Sequence, residues 1–370
     1  MTEKTKSLIV ALILGVLAAG SIIAEHIVSE ARKPEKNIFE GRTLRCVIDL
    51  HNDLRNKGLH GGLNYELLEC LAAEKGCSIT ITRAEEDWRD SLEAGSLDLA
   101  VLEKNALTDS CIVIYPDSMA VWVMHKDSVE VSKKIREWLS RKKKDGEYYD
   151  LREKYSRRYN PFKSAHSGEH STILSPYDET IRHYADSIGW DWRLVSAVIY
   201  NESKFSILSG SNAGASGLMQ IMPSLAGKYQ IDNLLDPKKN IKAGTRHLSS
   251  IEERYRKAGY SEKECLNFTL AAYNAGIGRI HDCICLADAL GFDKKKWDDI
   301  VEVIPFMSKL DSLDCSDTVR LGTFKGTETI NFVKNVLATY EAMCKIAPLE
   351  VEEDNQSTRT VSAGSTLEMK

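Results

Sequence analysis

The sequence predicts an α+β multidomain protein, in which an α/β lobe is followed by a mainly helical domain. Segments with strand and helix character alternate from residue 43 to residue 162, which is typical of an α/β lobe around a mostly parallel sheet. From Ser175 onward the apolar residues recur instead with helical spacing. A chain of 370 residues is long enough for about two domains.

The N-terminal segment predicts export. Lys4 and Lys6 precede an unbroken apolar run from Leu8 to Ala24, which is short for a membrane span and long for a signal-peptide core. We expect residues 1–24 to be a signal peptide or a membrane anchor. Positive charge before the run places the remaining chain outside the cytoplasm, in the periplasm or cell envelope. Residues 25–42 are polar and predict a tether between membrane and body.

The order of elements in the lobe, residues 43–162, follows from local patterns. Apolar strand-like segments are LRCVIDL, SITITR, LDLAVL and AVWVMHKD, and helix-like segments are NYELLECLAAEKG, WRDSLEAGS and SVEVSKKIREWLSRKKK. A polar linker, 163–174, separates the lobe from the helical domain, 175–348. Residues 349–370 contain few large apolar residues and predict a disordered tail.

Charge and cysteine content exclude some classes of protein. A net charge of -5 and a pI near 6.0 argue against a nucleic-acid binder. Nine cysteines in an exported protein leave at least one unpaired within the chain. We expect a disulfide within the group Cys265, Cys283, Cys285 and Cys315, with buried free thiols as the alternative. No cysteine and histidine set has zinc spacing, so neither metal nor cofactor is predicted.

One glutamate stands out in the helical domain. The second helix is predicted to begin after Asp191, and its apolar stripe includes Val195 and Val198. Glu202 follows Val195 by seven residues, so it continues the buried face. Burial raises the pKa of a carboxyl group and suits it to donate a proton near neutral pH. The alternative is a structural glutamate that caps a loop or pairs with an arginine.

The residues around Glu202 resemble the soluble-lytic-transglycosylase (family 1) domain. The resemblance begins with Glu202-Ser203 and Phe205, and continues in GASGLMQIMP, residues 214–223. Three further motifs follow in the family's order: DPKKNIKAGTRHL at 236–248, LAAYNAGIGRI at 270–280 and ETINFVKNVLATY at 328–340. The resemblance implies a mainly α, lysozyme-like fold.

The resemblance also implies roles for individual residues. It makes Glu202 the single acid and base, which cleaves the β-1,4 bond between MurNAc and GlcNAc in peptidoglycan and leaves a 1,6-anhydro-MurNAc end. The implied substrate-binding residues are Ser211, Gln220, Met222, Tyr273 and Asn274, together with Glu328 as a supporting carboxylate and Tyr340 as a groove aromatic.

The first lobe is similar to half of a family-3 periplasmic solute-binding domain. The segments GGLNYELLECLAAEKGCSITIT and LEAGSLDLAV carry this similarity. Both resemblances together are typical of membrane-bound lytic transglycosylases. They imply peptidoglycan glycan strands as substrate, the membrane as an attachment site for the N-terminal segment, and cell-wall synthesis or remodelling proteins as further partners.

Two other functions remain open at this point. A goose-type-lysozyme-like hydrolase would use water and would leave a reducing end on the glycan. A non-catalytic peptidoglycan-binding or sensory protein would retain the fold and bind cell walls without turnover. The presence of Glu202, Gln220 and the AYNAG segment favours an enzyme.

Overall fold

The computed structural model describes residues 37–50, 59–84, 87–104, 111–117, 119–157, 159–164, 172–309 and 319–348. The predicted anchor, 1–24, most of the predicted tether and the predicted tail lie outside these residues. Among the helices that the structure describes, none combines the length and the apolar character needed to cross a membrane.

The first lobe contains a five-stranded sheet with helices on both faces, and every strand and helix predicted for it is confirmed. The strands are β1 (Thr43–Asp49), β2 (Ser78–Arg83), β3 (Leu99–Glu103), β4 (Cys111–Ile114) and β5 (Ala120–His125). The helices are α1 (His60–Lys75), α2 (Trp88–Glu93), α3 (Val129–Lys144), α4 (Glu147–Ser156) and α5 (Pro161–Ser164). Gly76, with φ of 67°, ends α1 as its sequence predicts.

The sheet has the strand order β2-β1-β3-β5-β4 and is mixed, so the prediction of a mostly parallel sheet is wrong for one half of it. β1 pairs in parallel with β2 and β3, whereas β5 pairs antiparallel with both β3 and β4. Only residues 115–119 join β4 to β5. A link this short permits a hairpin but no crossover, because a parallel connection needs a dozen or more residues.

The two faces of the sheet bury separate apolar clusters. Ile48, Trp122 and other residues of one face pack against α1 and α3, in a core that also includes Leu67 and Trp138. On the opposite face, Val47, Ala100 and Val121 pack with Trp88 and Leu92 of α2. Alternate residues of each strand point to opposite faces, which explains why neighbours such as Val47 and Ile48 enter different clusters.

The second domain is mainly helical, as predicted. Its helices are α6 (Asp178–Asp186), α7 (Trp192–Ser203), α8 (Pro223–Tyr229), α9 (Pro237–Lys257), α10 (Glu262–Ala275), α11 (Ile277–Ala289), α12 (Trp297–Val303) and α13 (Thr327–Ile346). A 3-10 helix, Ile304–Ser308, follows α12. The first of these helices begins at Asp178, and the Ser175 hydroxyl donates to the Asp178 carboxylate at 2.6 Å just before it.

The first lobe and the helical domain contact each other beside the edge strand β2. The side-chain amide of Asn233 donates to the Ile81 carbonyl at 2.7 Å. The guanidinium of Arg83 donates to the carbonyl oxygen of Leu208, in the loop that follows α7. The edge of the first lobe therefore borders the loop that leads away from Glu202.

The disulfide expected in the helical domain is not found among the described cysteines. Cys265, Cys283 and Cys285 are free thiols, and Cys315 lies outside the described residues. Cys283 and Cys285 stand two positions apart on α11, so they point away from each other. Cys283 is buried, and the sulfur of Cys285 lies 3.5 Å from Nδ1 of His281.

Candidate active site

Glu202 lies in the last turn of α7, on the face that the apolar spacing predicts. Asp191 caps the start of this helix by accepting a hydrogen bond from the main-chain N–H of Arg193. The helix ends at Lys204, which has a left-handed φ of 52°, and Phe205 follows with φ of 66°. Phe205 is fully buried and turns the chain away from the helix axis directly after the glutamate.

The carboxyl group of Glu202 has the properties of a proton donor. Burial, and secondly the negative charge of Glu328, raise its pKa to about 8. Across the residues that the structure describes, no arginine, lysine or hydrogen-bond donor pairs with this carboxylate. Glu202 is therefore mostly protonated at neutral pH, and the alternative of a glutamate paired with an arginine is not what the structure contains.

A tight loop, residues 206–222, follows Glu202 and is held by its own main chain. Short bridges pair Ser216 with both Gly210 and Ile221. Within the loop, the N–H of Ser211 donates to the Ala215 carbonyl at 3.0 Å, and the Ser211 hydroxyl accepts from the Ala215 N–H at 3.1 Å. The small residues in this stretch permit the close pairing of its two arms.

Asn240 fastens this loop to α9. Its side-chain oxygen accepts from the Met219 N–H at 2.8 Å, and its amide donates to the carbonyls of Ser216 and Leu234 at 3.0 and 2.9 Å. Gly217 lies against the same amide with φ of 80°, and a Cβ at that position would be 2.1 Å from the Asn240 nitrogen. The glycine is therefore required both by its backbone conformation and by the close approach of Asn240.

Two predicted site residues of this loop have different surroundings. The Gln220 amide donates to the carbonyls of Ser209 and Gly217 at 3.1 and 2.9 Å, so this side chain supports the loop itself. Met222 is 40% exposed and directly precedes α8, which leaves its side chain open to a ligand.

Tyr273 and Asn274, near the end of α10, connect three elements of the site. The hydroxyl of Tyr273 donates to the Met219 carbonyl at 2.7 Å, and the charge of Glu202 contributes to the raised pKa of this tyrosine after burial. The side-chain oxygen of Asn274 accepts from the Thr329 hydroxyl at 2.9 Å. Thr329 directly follows Glu328 in the first turn of α13, so this bond fixes the start of α13 beside α10.

An aromatic row beside Tyr273 was missed by the sequence reasoning. The ring of His247, on α9, lies 5.6 Å from that of Tyr273 and 6.4 Å from that of Tyr229. Nδ1 of His247 and the hydroxyl of Tyr229 are buried without a hydrogen-bond partner among the described residues. Burial, and then the charge of Lys228, lower the pKa of His247 to about 4, so this ring is neutral. His247 lies within a matched motif, but only the packing of α9 on α10 reveals its neighbours.

Tyr340 is not brought to the glutamate by the fold. Its hydroxyl donates to the Asp191 carboxylate at 2.8 Å, at the opposite end of α7 from Glu202. Glu202 lies eleven positions after Asp191, which corresponds to a rise of about 16 Å along a helix. The structure therefore groups Glu202 with Glu328, Tyr273 and the loop, while Tyr340 supports the start of α7.

Comparison with known proteins agrees with the motifs around this site. Residues 179–295 match the model of the family described as "Transglycosylase SLT domain". Among curated relatives, the membrane-bound lytic murein transglycosylase F of Shewanella sediminis is 30% identical over 195 residues, which is 53% of this chain and 38% of that protein. The protein of the same name from Stutzerimonas stutzeri is 26% identical over 275 residues, covering 70% of this chain and 56% of its own length.

A likeness to solved structures is weaker. The 70 kDa soluble lytic transglycosylase SLT70 of Escherichia coli is 28% identical, with 48% of this chain and 26% of that chain covered, at a TM-score of 0.34. That score is too low to add to the argument. The chain spans only about 38–56% of the two curated relatives described here. Residues 179–295, in the helical part of this chain, thus resemble the transglycosylase SLT domain, and the chain as a whole resembles the membrane-bound lytic murein transglycosylases F.

Proposed function

We propose that this chain is a peptidoglycan lytic transglycosylase, which cleaves the β-1,4 bond between MurNAc and GlcNAc and forms 1,6-anhydro-MurNAc ends. The single observation that carries the proposal is the state of Glu202 within the matched domain. It is a partly buried glutamate with a pKa raised to about 8 and no cationic partner among the described residues. Such a group can donate a proton at neutral pH.

The proposed reaction uses Glu202 twice. Its carboxyl group donates a proton to the glycosidic oxygen as the bond from that oxygen to C1 of MurNAc breaks. The carboxylate then accepts the proton of the C6 hydroxyl of the same sugar as that oxygen bonds to C1. The glutamate ends in its starting protonation state, and the glycan ends in an anhydro ring without the addition of water.

The remaining residues of the site would bind and orient the glycan. Met222 is exposed at the loop end and would contact a sugar ring, while Ser211 and Asn274 would present polar groups near it. Gln220 and Tyr273 would keep the loop in its observed shape, since both bond to loop carbonyls. Glu328 would keep Glu202 protonated through its charge.

The presence of Glu328 also favours a second candidate, a hydrolase. Two carboxylates near one glycosidic bond can divide the roles of acid and base, with the base activating a water molecule. The products distinguish the two reactions, because hydrolysis leaves a reducing end one water heavier than the anhydro product.

The remaining features of the chain fit a role in the cell envelope. We propose that residues 8–24 export the chain and anchor it unless they are cleaved, and that the first lobe is a shortened solute-binding-like domain in cell-wall remodelling or turnover. The mixed five-stranded sheet with helices on both faces supports an α/β lobe of this kind. The domain limits given above, 43–162 and 175–348, belong to this proposal.

The deciding experiment is mass analysis of fragments released from purified sacculi by the chain and by its Glu202→Gln variant. Anhydro fragments with the wild-type chain, and none with the variant, are expected. Reducing-end fragments would instead establish a hydrolase. If neither protein releases fragments while both bind sacculi, a non-catalytic binding or sensory role replaces the proposal.

A further inference from the structure

A surface segment near the site, residues 319–324, packs its two end residues, Val319 and Phe324, against the core and is held along its middle by polar contacts; we call it the strap. It precedes α13 and crosses the first turns of α11. None of its six residues is fully buried, and Arg320 to Thr323 are exposed. The exposed middle of the strap buries little apolar surface, so this part depends on its hydrogen bonds to keep one conformation.

Arg279 binds main-chain carbonyl groups of the strap. Its Nη1 lies 2.9, 3.1 and 3.0 Å from the carbonyl oxygens of Leu321, Gly322 and Thr323. The guanidinium carbon also lies 5.6 Å from the centre of the Phe324 ring. One fixed, planar cation therefore gathers three consecutive carbonyls into a single turn.

Asp282 binds main-chain N–H groups of the strap. This residue lies three positions after Arg279, on the same face of α11. It is 2% exposed, and its two carboxylate oxygens accept from the main-chain N–H groups of Arg320 and Leu321 at 3.2 and 2.8 Å. A buried carboxylate that binds consecutive N–H groups makes strong, charge-assisted bonds. Arg279 thus binds the carbonyl groups, and Asp282 the N–H groups, of the same short stretch of main chain. We call these two residues the clamp.

The strap leads directly into the start of α13, and the residues that join them are closely packed. The N–H of Phe324 donates to the Met307 carbonyl at 2.9 Å. A Cβ added at Gly326, the residue before α13, would lie 2.3 Å from Cγ2 of Ile304 and 2.7 Å from the Phe324 ring. Glu328 follows two residues later, in the first turn of α13.

We propose that Arg279 and Asp282 are positioning residues, which hold the strap so that Glu328 stays beside Glu202. The proposal rests on the proposed function, because it gives these two residues a role in keeping Glu202 protonated, as a proton donor must be. Both residues act through the main chain of the strap rather than by touching the substrate. They therefore differ from Tyr273 and Asn274, which contact the loop and α13 directly.

Among the described residues that pack against α7 or face Glu202, few carry a charge, so the effect of Glu328 can be isolated. Against α7 pack α13, which supplies Glu328, and α6, whose Arg182 lies 3.5 Å from the Trp192 ring at the far end of α7. Tyr273 faces Glu202 from α10, and Lys204 follows on its own chain, 3.8 Å from the Tyr200 ring. Among these groups the charge of Glu328 is the one that raises the pKa of Glu202 after burial.

The test uses two variants that change charge in opposite directions, Arg279→Ala and Asp282→Asn. Loss of the clamp lets the residues before α13 shift although the Asn274–Thr329 bond remains, so Glu328 moves away from Glu202, the pKa of Glu202 falls, and the alkaline limb of the pH–rate profile moves to lower pH. We expect both variants to shift this limb downward, by a few tenths of a unit to about one unit. A direct effect of the lost charges would move the two limbs in opposite directions, and that result would overturn the proposal.

Controls separate positioning from a general loss of structure. Arg320→Ala removes a cation from the strap but leaves the main-chain N–H that Asp282 binds. The alkaline limb of the pH–rate profile of this variant should therefore stay where it is in the wild type. In a Glu328→Gln background, Arg279→Ala should cause no further shift, since the group that it positions no longer carries charge. An additional shift there would contradict the proposal. Arg279→Lys, which keeps a cation and donors, should recover part of the wild-type profile if Asp282→Asn does not fold.

The outcome for this inference is separate from the outcome for the proposed function. If the wild-type chain releases no fragments from sacculi, the proposed function fails before any variant is compared. If it releases anhydro fragments and both clamp variants keep the wild-type limb, the function stands and the positioning role is wrong.

Discussion

Glu328 acts on Glu202 through its charge, although the two carboxylates belong to different helices. Glu202 ends α7 and Glu328 begins α13, and the charge of Glu328 adds to burial in raising the pKa of Glu202 to about 8. Two carboxylates in such a relationship cannot both ionise without cost, so one keeps its proton. This relationship leads to the first prediction.

Glu328→Gln should shift the alkaline limb of activity to lower pH. The proposed reaction requires protonated Glu202, and removal of the neighbouring negative charge lowers the pKa of that group. We expect the limb to move by a few tenths of a unit to about one unit in a profile of fragment release from sacculi against pH. Glu341→Gln, an exposed change on the same helix, is the matched control and should leave the limb in place. An upward shift with Glu328→Gln would contradict the electrostatic role.

Glu202→Gln should make the folded protein more stable at pH 8 than the wild type. The pKa of Glu202 is about 8 in the folded chain against an ordinary value of 4.5, so the folded state binds more protons between these values. The wild-type free energy of unfolding therefore falls as pH rises from about 4.5 to about 8. The uncharged variant avoids this loss, and we expect a difference on the order of 4 kcal/mol at pH 8.

Thermal or denaturant unfolding at several pH values tests this stability difference. The advantage of the Glu202→Gln variant should shrink toward zero as pH falls to about 4, because the wild-type carboxyl group is then protonated in both states. Glu302→Gln, at an exposed position on α12, serves as the control and should show no such pH-dependent advantage. Equal stability of wild type and Glu202→Gln at every pH would contradict the buried state of the acid.

Asn240→Ala should destabilise the protein and disturb the loop beside Glu202. The substitution leaves the Met219 N–H and the carbonyls of Ser216 and Leu234 without their partner. A cost of about 2–4 kcal/mol in the free energy of unfolding is expected from buried polar groups that lose hydrogen bonds. Lys239→Ala removes the ion pairs of an exposed lysine with Asp232 and Asp236, so unfolding in denaturant should show a change within about 0.5 kcal/mol. Equal effects of the two variants would argue against the role of Asn240.

Tyr340→Phe should reduce stability without reducing turnover. Its hydroxyl bonds to Asp191 at the start of α7, and loss of this bond should cost about 1 kcal/mol. Tyr273→Phe is the comparison, because its hydroxyl bonds to the loop beside Glu202, and we expect this variant to lower kcat/KM. If Tyr340→Phe lowers kcat/KM as strongly as Tyr273→Phe, then the groove role implied by the sequence resemblance would be supported after all.

The sequence by itself determined most strands and helices of the first lobe, the helical character of the second domain and the face on which Glu202 lies; it did not predict β4, α4 or α5. Periodicity in a strand or a helix is a local property, so seven residues from Val195 to Glu202 suffice to place the carboxylate on the buried side of α7. The helix end at Gly76 and the tight turn at Gly217 follow from local backbone chemistry in the same way.

Only the tertiary structure decided the contacts between distant segments. The antiparallel half of the sheet, the aromatic row at His247 and the placement of Tyr340 at Asp191 depend on which elements pack together. The charge of Glu328 acts on Glu202 because α13 packs on α7, and no local pattern records that packing. The sequence therefore pointed to Glu202 as the candidate acid, whereas the fold alone determined which charged group adds to burial in raising its pKa.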